Sequence, residues 1–192
     1  MSSKKKLVIS LSVAAAVLVA AIIAIVAVFA ANAQTVQSTV KIKYTTSNVA
    51  GSVQASYQIK NEEVEPLGTS TFTATDTTTT ALNDADITLT DANDTVTFTF
   101  IFTNNGGNTM YINLAQFTQP ANTTVKYQVG TNTATDTLSE QSIVGRASAQ
   151  ETAKTCEIKV ILSITDKAFE IPESTFDFAW NLTSTPSATV NP

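Results

Sequence analysis

The chain has 192 residues, with 11 Lys and Arg, 16 Asp and Glu, no histidine and one cysteine. Without imidazole there is no histidine base or metal ligand, and one cysteine supports neither an internal disulfide nor a CxxC metal clamp. Charged residues are 14% of the chain against 43% hydrophobic, and 33 threonines with 9 phenylalanines favour strands over helices.

Lys4, Lys5 and Lys6 precede an uncharged apolar run from Leu7 to Ala31. Apolar residues on every side exclude an amphipathic surface helix and predict one N-terminal hydrophobic helix. At 1.5 Å per residue it reaches about 37 Å, enough for a hydrocarbon core of about 30 Å. The lysines favour the cytoplasmic side, which sends the rest of the chain outside, to the cell surface or beyond. Two readings of residues 1–33 stand. Their length suits a retained transmembrane anchor through residues 7–31. The small-x-small pair Ala31 and Ala33 suits a signal peptide whose cleavage leaves Gln34 at the start.

Residues 34–183 have the length of one domain. After residue 33 there are 8 basic and 16 acidic side chains, a net of −8, with no basic cluster. Nucleic acid and anionic lipid are therefore set aside as partners, since both need Lys or Arg against phosphate. Period-two alternation recurs along this part. Val40, Ile42 and Tyr44 share one strand face, and Val49, Val53, Ala55, Tyr57 and Ile59 share another. Val96, Phe98, Phe100 and Phe102 form the strongest alternation, and Met110, Ile112 and Leu114 follow the turn Asn104-Asn105-Gly106-Gly107. Val125, Tyr127 and Val129 come next, then Cys156, Ile158, Val160, Leu162 and Ile164, then Phe176, Phe178, Trp180 and Leu182.

Weaker strands at Thr71–Thr75 and Ile87–Thr90 bring the expected count to eight or nine. Asn61–Ser70 and Thr75–Asp86 read as exposed loops, Thr137–Gln150 has room for a short helical turn, and residues 184–192 form a polar C-terminal tail. Strands with one apolar face each must bury it against a second sheet. The expected fold is all-β, a two-layer antiparallel β-sandwich of jelly-roll or Ig-like type. The missing Cys-Trp-Cys pattern disfavours a true immunoglobulin domain.

The chemistry-bearing residues are few. No GxSxG elbow occurs and no histidine serves as a base, so triad hydrolysis is excluded. Glu62, Glu63 and Glu65 sit beside a proline and read as a solvated charge run rather than a glycosidase pair. Asp84, Asp86, Asp91 and Asp94 offer the oxygen ligands calcium takes, but the EF-hand spacing fails for want of a glycine and a closing glutamate. Cys156 shares a face with Ile158 and Val160 and reads as an inert core thiol. Asn-x-Thr sequons fall at Asn93, Asn122 and Asn181. The aromatic residues of the last strand, regularly alternating, read as core rather than as a sugar platform. No cofactor follows from these residues, and the chain reads as non-catalytic.

The layout of lysines, long apolar segment, strand, and then Phe98-Thr99-Phe100-Ile101-Phe102-Thr103-Asn104-Asn105-Gly106 resembles the TasA and camelysin group of exported β-sandwich proteins of Gram-positive bacteria. That resemblance implies a jelly-roll subunit of extracellular fibres or biofilm matrix, in which the N-terminal strand of one copy completes the sheet of the next. The donor would be residues 36–45, with Val40, Ile42 and Tyr44 filling the neighbour's groove. The protease activity assigned to camelysin-like proteins does not carry over through a zinc site, because this chain has no histidine. The second reading is a membrane-anchored extracellular module that binds glycan or another surface protein.

Overall fold

The computed structural model describes residues 36–60, 62–74, 79–82, 85–89, 95–118, 123–164 and 174–187. The expected N-terminal helix, with Ala31 and Ala33, lies outside them. Among the described residues the chain is all-β, and none of them forms a helix long and apolar enough to cross a membrane. The strands are β1 (Val36–Ser47), β2 (Gly51–Ile59), β3 (Glu65–Phe72), β4 (Thr79–Ala81), β5 (Ala85–Leu89), β6 (Thr95–Asn104), β7 (Met110–Phe117), β8 (Thr123–Val129), β9 (Gln141–Ile143), β10 (Lys154–Ile164) and β11 (Ser174–Thr183).

They form two sheets. One runs β4-β1-β11-β7-β9, with β5 also pairing β1, and the other runs β3-β2-β6-β10-β8. All pairings are antiparallel except β1 with β11, which is parallel from Ser38↔Ser174 to Ser47↔Thr183. Period-two alternation does not distinguish the two directions, so an antiparallel expectation missed this pair.

The expected alternation is realised most fully in β6, where Val96, Phe98, Phe100 and Phe102 are buried between half-buried threonines and Ile101. The inner faces of the sheets meet through rings. Phe98 packs 5.5 Å from Phe176 and 5.0 Å from Phe178, Phe100 lies 4.9 Å from Trp180, and Phe102 lies 5.1 Å from Trp180. Each ring contributes about 1.5–3 kcal/mol by burial, and well-set aromatic pairs add about 0.5–1.5 kcal/mol.

Four stretches depart from expectation, each for a local reason. Residues 79–81, within a stretch read as loop, form β4 because Lys43–Thr45 of β1 offers them a free edge. Residues 65–72 read as loop because of Pro66 and Gly68, yet form an edge strand, where proline's missing N–H costs no ladder bond. A bulge there skips Leu67 in the pairing with β2, Gly68 takes φ 118°, and Leu67 is buried at 1% exposure. Residues 141–143 form a short strand on β7 where a helical turn was expected; the partner Met110–Ile112 captures them. In β7, a second bulge lets Ala115 drop out of the pairing with β11. Phe117 then rejoins the inner face, 4.8 Å from Phe178. The start of the polar tail is tied down as well, with Ser184 N–H donating to the Ser47 carbonyl at 3.2 Å and Ser187 N–H to Glu140 Oε2 at 2.8 Å.

Candidate functional site

The first strand occupies an unusual place for an element at the start of a domain. β1 lies inside its sheet, with β11 along one side and β5 then β4 along the other. β5 covers Val36–Val40 and β4 covers Lys43–Thr45, and Leu82 N–H bridges the gap by donating to the Ile42 carbonyl at 2.9 Å. Among the described pairings, β4 and β5 join the sheet only through β1. β1 therefore fills a slot between strands that, among the described residues, do not pair with each other.

Alternation sends Val40, Ile42, Tyr44 and Thr46 inward, all at 1% exposure or less. Val40 and Ile42 contribute hydrophobic burial alone, roughly 1.5–3 kcal/mol each. Tyr44 adds a polar contact between the sheets. Its ring packs 5.7 Å from Phe72 and its hydroxyl hydrogen-bonds Ser70 Oγ at 2.5 Å, both on β3 of the opposite sheet. Beside it in register lies Trp180, whose indole N–H is buried without a hydrogen-bond partner. The outer side of β1 carries exposed Lys41 and Lys43. Asp177 is in register with Lys41, and Asp86 of β5 is in register with Thr39, one place along.

β1 ends at Asn48, which takes φ 56°, a left-handed conformation asparagine tolerates better than most residues. Only residues 48–50 then cross to β2 in the other sheet. That link is held by the turn after β6. The Ala50 carbonyl accepts from Asn105 N–H at 2.9 Å and Gly106 N–H at 3.1 Å. Asn104 is wholly buried; its amide donates to the Asn108 carbonyl at 2.8 Å and the Ile143 carbonyl at 2.9 Å, and its Oδ1 accepts from Gly106 N–H at 2.9 Å. Arg146, the one arginine of the chain, closes the group with its guanidinium on the Asn105 carbonyl and its backbone N–H on the Gly106 carbonyl. Gly145 passes so close to Gly107 that a side chain there would overlap the Gly107 carbonyl. The Phe102-Thr103-Asn104-Asn105-Gly106 segment thus has a physical account: the ring belongs to the core, and the amide and glycine lock three loops at one end of the domain.

The other predicted positions are described only in part. Asp86 is exposed on β5, while Asp84, Asp91 and Asp94 lie outside the described residues, as do Asn93 and Asn122. No three His, Cys, Asp or Glu side chains gather as a metal group among the described residues. Glu62, Glu63 and Glu65 are exposed, and their nearest consequence is on Tyr57, whose phenol is pushed up by burial first and then by the charges of Glu65 and Glu62. Cys156 is half-buried against the core, and burial, with a smaller contribution from Glu157, raises its thiol above the ordinary value. A raised thiol is a poor nucleophile at neutral pH. Asn181 is exposed on β11.

No protein-family model matches the chain, and no curated protein matches it.

Proposed function

We propose that this chain is a non-catalytic structural subunit of the cell surface or extracellular matrix, and that copies assemble by donating residues 36–45 to one another. The supporting observation is the intercalation of β1 between β11 and the β4–β5 pair, with Val40, Ile42 and Tyr44 as its buried side chains. A strand whose two neighbours are held apart by it alone can be replaced by the same strand from a second copy. The main-chain bonds and side-chain contacts are then identical and no new surface is needed. Within this reading the sandwich is a jelly roll, because every connection from β5 to β11 crosses to the opposite sheet. It agrees with the resemblance to the TasA and camelysin group and with an export segment at residues 1–33.

The test uses the mature chain, residues 34–192, and electron microscopy. Filaments are expected from it and none from a chain lacking residues 34–45, in which an added peptide of residues 34–47 fills the slot and restores folding stability but links no copies. A truncated chain that polymerises as well as the intact one ends the donor-strand reading. A chain that stays monomeric while capturing a glycan or a surface protein supports a membrane-anchored binding module instead.

A further inference from the structure

We propose that Tyr44 and Ser70 together read the register of the shared strand, so that the partner admitted to the slot is a second copy of this chain seated in one position. This rests on the strand-sharing reading above. Val40 and Ile42 are inward-facing aliphatic side chains that differ by one methylene. A one-residue slip of β1 would turn its lysines into the core and is excluded by burial. A two-residue slip is different, because it keeps every inward side chain inward.

The outer face does not prevent such a slip. In the observed register Lys41 stands opposite Asp177, and a two-residue slip brings Lys43 opposite Asp177 in its place. One cation faces that carboxylate either way, and the slip also brings Lys41 opposite Asp86 in place of Thr39, so the outer face does not hold the observed register. The inner face does discriminate, and its described contacts change most at Tyr44. The slip moves the Tyr44 side chain by two residues, about 6.6 Å along the strand. Its hydroxyl leaves Ser70 Oγ, now 2.5 Å away, its ring leaves Phe72, and Thr46 arrives in its place. A buried hydroxyl without its partner disfavours the slipped state by about tenfold.

Covalent structure adds a reason why this matters only between copies. Within one chain the three residues 48–50 tie the end of β1 to β2 and fix its register directly. When the strand enters a neighbour's slot, that link belongs to the donor and places no such restriction on pairing in the acceptor. The register then depends on the side chains, and Tyr44 is the inward one with both a ring and a hydroxyl to place. A strand with aliphatic residues alone would enter in several positions.

The experiment uses filaments grown from equal amounts of natural-isotope and 15N-labelled mature chain, joined with a carbodiimide and read by mass spectrometry. Mixed-isotope crosslinks report strand sharing; because Lys43 is also a diagonal neighbour of Asp177 in the observed register, the change in the ratio of Lys41–Asp177 to Lys43–Asp177 products between variants reports register. In the unaltered chain the Lys41 product exceeds the Lys43 product. Tyr44→Phe keeps the ring and Ser70→Ala keeps the strand; each lowers the ratio several-fold, and the double variant lowers it no further than either single one. Mixed-isotope crosslinks with an unchanged ratio in both variants overturn the register proposal and leave strand sharing standing. Absence of mixed-isotope crosslinks in the unaltered chain overturns strand sharing and this proposal with it.

Discussion

β6 and β1 are both long strands inside their sheets, and they differ in what surrounds them. β6 is flanked by β2 and β10 along nearly its whole length, and its buried set includes three phenylalanines that interlock with the last strand. β1 has one long neighbour, β11, and on its other side two short strands of three and five residues. Among its described side chains, Tyr44 reaches the opposite sheet with both a ring contact and a hydrogen bond. On the strand-sharing proposal, a central position in a sheet does not by itself make a strand permanent; permanence follows from long neighbours on both sides and rings from the facing layer.

The largest effects separate these two strands directly. Phe100→Ala costs about 4 kcal/mol, and Ile42→Ala about 3 kcal/mol, in urea unfolding followed by Trp180 emission. The sharper difference is where exchange of backbone amides speeds up: throughout both sheets for Phe100→Ala, but first in β1, β4 and β5 for Ile42→Ala. An identical exchange pattern in the two variants removes the distinction between fixed and replaceable strands.

A middle-sized effect concerns the end where β1 turns toward β2. Asn104→Ala leaves the Asn108 and Ile143 carbonyls without their donor, while Gly106 N–H keeps the Ala50 carbonyl. The expected loss is about 2 kcal/mol of stability in urea unfolding, with loosened amides at residues 48–50. A loss under about 0.5 kcal/mol means that the carbonyls find other donors at no cost, and that the loops do not fix the β1–β2 link.

The smallest effect is on pH dependence in β10, a neighbour of β6. The Cys156 thiol is raised by burial and then by Glu157, so the folded chain holds its proton longer than the unfolded chain. The associated stability is complete below the ordinary thiol pKa of about 8.5 and declines as pH rises above it. Tyr127, raised by burial, and Tyr57, raised by burial and then by Glu65 and Glu62, extend the decline above about pH 10. Cys156→Ser delays the onset to the tyrosine range in unfolding curves measured between about pH 7 and 11. A variant whose curve matches that of the unaltered chain assigns the whole decline to the phenols.

Much of this was legible in the residues. The alternation of β6, β10 and β11 announces both the strands and the buried faces, because both sheets bury a single face with little interruption. Val40, Ile42 and Tyr44 were legible in the same way. Ser70 was not, since it follows Pro66 and Gly68 in a run with turn composition, and only the bulge at Leu67 restores it to a strand. Phe117 was hidden by the same device at Ala115. The parallel direction of β1 against β11 leaves no mark in either strand, because it depends on where a distant segment returns. Asn104 was legible as a turn former but not as a buried amide that also holds the end of β9, which arrives from 39 residues further on.

The parallel pairing of β1 with β11 also decides how the domain meets a mechanical load. Force entering before Val36 and leaving after Thr183 pulls on opposite ends of two strands that run side by side in the same direction. The strands are then drawn past each other along their length, and ten register pairs share the load at once. An antiparallel pair pulled in the same way opens like a zipper, one bond at a time. In a chain of such subunits, tension would run along the hydrogen-bonded seam in shear.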